Sequence, residues 1–528
     1  MAQHAARPRL TIRVRLDREI GTVDRNVFGH FIEHFNRCVY GGVFDPGSPL
    51  ADERGFRTDV LEAARRIRVP NLRWPGGNFA SGYHWEDGVG PPAARPARYD
   101  VNWRQLEPNT FGTDEYLAYT RALGAAPFIC VNTGSGTIEE ACRWVEYCNL
   151  DAERYPSHHA RLRVRNGHPE PYGVKLWGIG NEAYGAWQVG HSSAEEYALK
   201  CRQVAHFMRS VDFSIKLVAV GADQPAWDET VLRLAGDNVD YISIHQYHGS
   251  PDYFATVGAP AHVERRLSLL AELSERALRS QRRERPVQIA LDEWNVCYKA
   301  WGLAEIQPVT GLDEYIQFFE QPLALKDALF AAGVFHALFR QCRFVTLANL
   351  AQMVNVLGLL ETRPDSLLRS SIYHVFDLYV NHSGPVALET SVTAREGVVP
   401  AFTAEDWREP GPDSPGLREP FLRFTVRDVP FLDAQATLAA DRRMLFLAVI
   451  NYHPTDALAA ALDLGGVRPA GQARATVLDG DDTHTPNTFA RPAVTRLRPI
   501  DVPAPLQEYT FPPHSATVLE VPLAPRSV

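Results

Sequence analysis

No stretch of about 18 uninterrupted apolar residues occurs in this 528-residue chain, so no membrane-spanning helix is expected. The first ten residues, Met1-Ala-Gln-His-Ala-Ala-Arg-Pro-Arg-Leu10, hold no apolar segment of the kind a secretory signal needs. Cysteine is sparse: there are seven, an odd number, and none form a C-x-x-C pair. Most lie in apolar runs and read as reduced core thiols of a cytosolic (cytoplasmic) protein. The 18 histidines include no H-E-x-x-H, which leaves zinc hydrolysis unsupported. There is no G-x-G-x-x-G dinucleotide loop and no P-loop, so neither a metal nor a cofactor is expected. Lys and Arg are scattered and the formal net charge is -9, so the chain carries no electrostatic footprint for nucleic acid. A mildly acidic protein suits a neutral substrate such as a carbohydrate.

What the chain does have is a series of short apolar runs that break into polar residues at their C-terminal ends. Two of them finish in a glutamate: Val174-Lys-Leu-Trp-Gly-Ile-Gly-Asn-Glu182 and Val287-Gln-Ile-Ala-Leu-Asp-Glu293. Buried strands with polar C-terminal ends fit an α/β fold of the (β/α)8 TIM-barrel kind, in which chemistry sits at the strand C-termini. The other runs are Val27–His34, Val69–Asn78, Pro127–Asn132, Lys216–Gly221, Tyr241–Tyr247 and Phe344–Gln352. Helical stretches are expected near 59–67, 114–123, 261–280, 322–342 and 366–380. Capping boxes are expected at Thr137/Glu140 and Ser193/Glu196. The pattern is read as eight strands and eight helices over residues 21–382, seven of the helices being located by these signals.

Residues 8–19 alternate apolar and charged side chains, the period of a half-buried strand, which does not suit a parallel barrel. After about residue 382 the helical period stops, and short β-type runs recur in a Pro-rich context. Residues 383–528 therefore read as an all-β, antiparallel, jelly-roll-like sandwich that the N-terminal strand (1–20) joins. Segment 403–420 reads as an exposed loop. The irregular stretches 34–57, 79–112 and 295–321 are long for βα connections and are where such a barrel builds its pocket. Trp85, Trp103, Trp294 and Trp301 lie there, as candidates for stacking on sugar rings or for anchoring the loops.

Two carboxylates delivered to one barrel mouth suit glycoside hydrolysis. One attacks the anomeric carbon; its charge raises the proton affinity of the other, which donates to the leaving oxygen. Around Glu293, Arg73 could pair with the carboxylate and Tyr247 could donate to it. His245 shares a face with Tyr247 by period 2 and is either a site residue or a core histidine. Asn181 could hold a sugar hydroxyl or cap the strand end. Glu33, Asn78 and Gln352 end or follow other strands and could bind hydroxyls; for Gln352 a barrel-rim hydrogen bond serves equally. The Pro75-Gly-Gly77 turn would let the backbone approach a ligand.

The segments Gly29-His-Phe-Ile-Glu33, Leu72-Arg-Trp-Pro-Gly-Gly-Asn78, Trp177-Gly-Ile-Gly-Asn-Glu182 and Asp292-Glu-Trp-Asn-Val296 resemble those of glycoside hydrolase family 51, chiefly α-L-arabinofuranosidases. The resemblance implies a retaining, exo-acting double displacement with Glu182 as acid/base and Glu293 as nucleophile. It implies Glu33, Arg73, Asn78, Asn181, His245, Tyr247 and Gln352 as sugar-contacting or nucleophile-supporting residues. The implied substrate is a terminal arabinofuranosyl group on arabinan, arabinoxylan or an oligosaccharide, and the implied assembly a homo-oligomer such as a hexamer. One departure stands out: the family commonly reads Trp-Asn-Val-Trp-Tyr after the nucleophile, and here Cys297 replaces the second indole. Trp301 or a neighbouring loop is expected to refill that space. The alternatives are an endo-β-glucanase or xylosidase on the same barrel, a metal-dependent barrel hydrolase, and a non-catalytic sugar-binding protein.

Overall fold

The computed structural model describes residues 10–281, 284–298, 319–408, 421–466 and 469–524. The chain opens with strand β1 (Leu10–Thr22) and then alternates. β2 (Gly29–Phe31) leads to helix α1 (Thr58–Arg66). β3 (Asn71–Trp74) leads through a hairpin, β4 (Arg98–Asp100) and β5 (Gln105–Glu107), to α2 (Thr113–Leu123). β6 (Ala126–Val131) precedes α3 (Ile138–Asn149) and α4 (His158–Arg165); β7 (Leu176–Ile179) precedes α5 (Ala194–Val211). β8 (Lys216–Ala219) is followed by α6 (Pro225–Ala235), β9 (Tyr241–His248) by α7 (Tyr253–Gln281), and β10 (Gln288–Val296) by α8 (Leu325–Arg340). β11 (Val345–Ala351) leads through the hairpin β12 (Leu360–Arg363) and β13 (Ser366–Arg369) to α9 (Ser371–Asn381).

Eight of these strands close a barrel in the order β10-β11-β2-β3-β6-β7-β8-β9, every neighbour parallel. Each expected run supplies one of them. Closure leaves no sheet edge, and the crossover helices bury the outer face. The interior is plugged by Phe128, Val218, Ala290 and Leu347, so the polar strand ends sit over a packed floor. Two helices, α4 and α6, were not singled out in the sequence. α7 begins eight residues before the expected start, because Pro260 lies inside it and reads locally as a boundary. The Ser193/Glu196 capping box forms. At Thr137 only half of one forms: Thr137 accepts from the Glu140 N–H, but the Glu140 carboxylate faces His84 Nδ1 at 3.0 Å.

The C-terminal strands are β14 (Val386–Ala394), β15 (Ala401–Arg408), β16 (Phe421–Pro430), β17 (Leu432–Leu438), β18 (Met444–Asn451), β19 (Leu458–Asp463), β20 (Arg474–Gly480), β21 (Thr495–Asp501), β22 (Glu508–Phe511) and β23 (Ser515–Pro522). With β1 they form a nine-stranded sheet, β21-β20-β23-β18-β17-β14-β1-β19-β22, and a separate β15–β16 hairpin. The expected antiparallel pattern has one exception, since β1 runs parallel to β19. Residues 403–408, expected in a loop, belong to strand β15, and 409–420 lie outside the described residues.

Alternation explains why β18 reads as almost uniformly apolar. Leu445, Leu447 and Val449 face the sheet's own core, while Ala448 and Ile450 join the core that continues to the barrel. The two parts are thus packed through shared side chains. At the joint Asp433 of β17 faces His336 Nδ1 at 2.8 Å and pairs with Arg340, both from α8.

Candidate active site

The polar strand ends converge at one mouth because of local backbone irregularities. After β7 the chain turns through Gly180, with φ +83°, where an added Cβ would lie 2.0 Å from Thr133 Oγ1. Two residues on, Glu182 is held at φ +39°, a conformation that costs a non-glycine residue on the order of 1–3 kcal/mol. β10 carries a bulge: Ala290 to Glu293 spans three steps against two from Ser243 to His245 on β9. The same mismatch recurs against β11, Leu291 to Trp294 opposing Ala348 to Leu350. Regular alternation would turn only one of two successive residues inward; the bulge lets both Asp292 and Glu293 reach the mouth.

Arg73, at the end of β3, donates from one guanidinium nitrogen to Glu293 Oε1 at 2.6 Å and from the other to Asn181 Oδ1 at 2.8 Å. Tyr247 donates to Glu293 Oε2 at 2.7 Å. His245 Nδ1 stands 2.9 Å from Glu182 Oε1 and 3.6 Å from Glu293 Oε2, and its Nε2 lies 3.4 Å from Asp292 Oδ1. One oxygen of Glu182, one of Glu293 and a His245 ring nitrogen all lie within 4.8 Å of one another. That is the short spacing of carboxyls about 5–5.5 Å apart in retaining glycosidases, below the ~6.5 Å at which inverting ones begin.

Glu33 lies beside the pair. Its Oε1 accepts from Trp103 Nε1 at 2.8 Å and the Phe79 N–H at 3.1 Å, and its Oε2 from Gln352 Nε2 at 2.9 Å. Asn78 Oδ1 accepts from Asn181 Nδ2 at 3.4 Å. The structure therefore brings all nine expected site residues together. The close approach expected of the Pro75-Gly-Gly77 turn is made by the protein itself: a Cβ on Gly77 would sit 3.0 Å from Glu293 Oε1.

The four loop tryptophans divide. Trp85 stacks on Trp144 at 5.9 Å and anchors the loop; Trp294 is turned to the helical layer against Phe335 and Phe376. Trp103 stacks on Phe35 at 3.7 Å and grips Glu33. Trp301 lies outside the described residues. Cys297 is buried, its N–H donating to the His248 carbonyl at 2.6 Å. Three residues at the mouth escaped the sequence reading. Tyr184 donates to Glu182 Oε1 at 3.1 Å, and Trp187, 54% exposed, donates to Glu182 Oε2 at 2.9 Å. Asp292 is the third. An indole in the short stretch without periodicity just after Glu182 was the available signal for Trp187.

Burial pushes the Glu33 carboxyl up to about 8, helped by the Glu293 charge. Burial also raises Glu182, but the hydrogen bond and charge of His245, with donors from Trp187 and Tyr184, outweigh it and leave Glu182 below the ordinary value. Burial opposes a charged His245, yet the Glu293 charge and the bonds to Asp292 and Glu182 lift it to about 10. In the unliganded site the proton therefore rests on the imidazole. The expectation that Glu293's charge by itself keeps Glu182 protonated does not hold there, because a cationic ring stands between the two carboxylates. Tyr247 is pushed well above its ordinary value by burial and the Glu293 charge, so it stays a donor. Glu182, His245 and Glu293 are close enough to offer atoms to a cation. However, both Glu293 oxygens already accept from Arg73 and Tyr247, and both Glu182 oxygens from His245, Tyr184 and Trp187.

An eight-stranded parallel barrel that gathers two carboxylates at this spacing over its C-terminal face is the architecture of a glycoside hydrolase, and this chain is a glycosidase. Family models agree: one described as an alpha-L-arabinofuranosidase 1 domain matches residues 63–264, and one described as an alpha-L-arabinofuranosidase C-terminal domain matches residues 292–515. The chain belongs to the α-L-arabinofuranosidases of glycoside hydrolase family 51. It is 36% identical to alpha-L-arabinofuranosidase C of Emericella nidulans over 529 residues, covering 96% of each chain. An intracellular exo-alpha-(1->5)-L-arabinofuranosidase of Halalkalibacterium halodurans is 32% identical, over 84% of this chain and 85% of the relative. The crystal structure of the alpha-L-arabinofuranosidase from Thermotoga maritima, an arabinose complex, superposes with a TM-score of 0.86 at 42% identity. The match covers 97% of this chain and all of that one.

Proposed function

We propose that this glycosidase releases terminal, non-reducing α-L-arabinofuranosyl residues from arabinan, arabinoxylan or derived oligosaccharides with retention of configuration. The observation that carries the reading is the Glu182–Glu293 pair within 4.8 Å, with Arg73 and Tyr247 each donating to one Glu293 oxygen. Glu293 attacks the anomeric carbon as the glycosidic bond breaks, and Glu182 delivers a proton to the leaving oxygen. The product of that step is an arabinofuranosyl ester on Glu293. Glu182, now a carboxylate, takes a proton from water, whose oxygen attacks the same carbon and releases arabinose. Both carboxyls return to their starting forms.

Glu33, Asn78, Asn181 and Gln352 serve as hydroxyl-binding groups. A protonated Glu33 can donate to a sugar oxygen as well as accept. Arg73, Tyr247 and His245 set the charge of the carboxylates. The catalytic unit is read as residues 21–382, with 1–20 and 383–528 forming the accessory β unit; the pairing of β1 with β14 and β19 supports that division. The seven cysteines, all present as thiols rather than disulfides, and the intracellular relative, support a cytoplasmic setting. Among the described residues no helix is long and apolar enough to cross a membrane. A homo-oligomer, such as a hexamer, is the proposed assembly.

The test is turnover of a panel of nitrophenyl glycosides, with product stereochemistry followed by NMR. The expected result is hydrolysis of the α-L-arabinofuranoside, with the α-anomer formed first. Cleavage of a glucan or xyloside with no turnover of the arabinofuranoside would overturn the substrate; first formation of the β-anomer would overturn the double displacement.

A further inference from the structure

We infer that Asp292 is a positioning residue that acts through His245 to hold, in the resting site, the proton that Glu182 delivers to the leaving group. The inference rests on the reading of Glu182 as acid/base and adds the group that supplies it.

The bulge in β10 is the first observation. It interrupts pairing with both neighbouring strands and sets Glu293 inward beside Asp292, where regular alternation would send one of them to the helical layer. Asp292 follows the inward-facing Ala290 by period 2, and the bulge brings Glu293 to the same side, so that two adjacent carboxylates face the mouth. Asp292 is then 2% exposed, and a buried carboxylate needs partners. Its partners are the Ser243 hydroxyl, His245 Nε2 at 3.4 Å and Arg73 Nε at 3.6 Å. Burial raises the Asp292 carboxyl, but the charges of Arg73 and His245 bring it below the ordinary value, so it is an anion.

The second observation is the line this makes. Asp292 Oδ1, the imidazole and Glu182 Oε1 stand in sequence, with Nε2 toward Asp292 and Nδ1 toward Glu182. With Asp292 accepting at Nε2, the ring is held with its Nδ1–H aimed at Glu182. The groups facing His245 are Glu182 from beyond β7 and Asp292 and Glu293 from β10; Tyr247, on its own strand, donates to Glu293. Arg73 of β3 faces both β10 carboxylates rather than the ring. Three carboxylates around one imidazole keep it cationic.

In the forward step the Nδ1–H bond breaks and an O–H bond forms on Glu182. The nitrogen keeps the electron pair, leaving a neutral imidazole bonded through Nε2–H to Asp292. Glu182 then passes that proton to the glycosidic oxygen. In the second half-reaction Glu182 takes a proton from water and returns it to Nδ1, so the cycle closes with no net change in the protein.

The experiment compares Asp292→Asn with the wild-type enzyme on two arabinofuranosides, one with a dinitrophenyl leaving group that needs little protonation and one with an unactivated alkyl group. A general acid contributes about 10²–10⁴-fold, so kcat/KM on the alkyl substrate is expected to fall about 100-fold or more, and on the dinitrophenyl substrate less than about tenfold. The alkaline limb of kcat/KM should move at least one unit toward lower pH, because losing the Asp292 charge loosens the shared proton. Equal losses on the two substrates, or an unmoved alkaline limb, overturn the inference. If Asp292→Asn does not fold, Ser243→Ala decides it. A smaller shift of the same sign supports it and no shift overturns it. Azide rescue of Glu182→Ala on the dinitrophenyl substrate separates the two readings. With no rescue, the acid/base assignment itself fails; with rescue and leaving-group-blind Asp292→Asn, only the role of Asp292 fails.

Discussion

Arg73 and Glu293 meet at 2.6 Å, across a site in which the arginine side chain is 2% and the carboxylate side chain 7% exposed. The glutamate charge and that of Asp292 outweigh burial and hold Arg73 above its ordinary value. Two buried charges this close are each other's replacement for water. Removing the cation by Arg73→Ala is expected to cost ~3–5 kcal/mol of stability, because Glu293 and Asp292 are left uncompensated. Arg73→Lys should fold but lose the fork to Asn181 and Glu293. One charge-assisted hydrogen bond is worth about 1.5–3 kcal/mol, so kcat/KM should fall more than about tenfold. Urea unfolding and steady-state kinetics read the two variants.

Tyr247 supplies the second donor to Glu293, at 2.7 Å. Tyr247→Phe keeps the ring and removes only the hydroxyl. A hydrogen bond to a charged acceptor contributes about 1.5–3 kcal/mol, which converts to a loss of roughly tenfold to a hundredfold in kcat/KM. Thermal unfolding should show a folded protein with a near-native midpoint.

Glu33 gives a signed dependence of stability on pH. Its carboxyl goes from about 8 in the fold to an ordinary 4.5 when unfolded. Between those values the folded state binds more protons, so this group lowers stability as pH rises through the window. Glu33→Gln removes the effect. The variant's stability relative to wild type should therefore increase from about pH 4.5 to about pH 8 and then level off. Paired thermal melts across that range measure it; a difference that is flat or falls with pH would contradict the assignment.

The joint between barrel and sheet makes a separate prediction about stability. Asp433 of β17 accepts from His336 and Arg340 of α8, and Arg340 also reaches Glu264 Oε2 at 3.0 Å. Arg340 and His336 hold the Asp433 carboxyl well below its usual range despite burial. Asp433→Asn should destabilise the fold by ~1.5–3 kcal/mol, since it removes a charged hydrogen-bond acceptor from a half-buried Arg340 and leaves it Glu264 as carboxylate partner, while leaving KM for a nitrophenyl arabinofuranoside near the wild-type value. Chemical denaturation and kinetics at a temperature below the variant's melting point test both halves.

How legible these features are in the sequence depends on their range. Strand ends show because a run such as Tyr241–Tyr247 changes from mostly apolar to polar over its last three residues, and a barrel places every such end on one rim. The residues that face the mouth from those ends could therefore be named from position alone. Asp292 could not. Alternation allows one inward residue of an adjacent pair, and a bulge is set by the pairing of β10 with β9 and β11, which no local pattern encodes. Tyr184 and Trp187 come from a loop with no period to read. The parallel partner of β1 is more than 400 positions distant, so its direction was equally hidden. The resting proton on His245 is a further case. It depends on three carboxylates converging from two strands, and the sequence suggests only that carboxylates are present.

The most direct measurement is mass spectrometry of the Glu182→Ala enzyme quenched during turnover of a dinitrophenyl α-L-arabinofuranoside. Without the base, the second half-reaction slows while the activated leaving group still departs. One arabinofuranosyl unit is expected, bound as an ester on the peptide that carries Glu293. No covalent adduct, or one mapped to Asp292, Glu33 or any other residue, would contradict it.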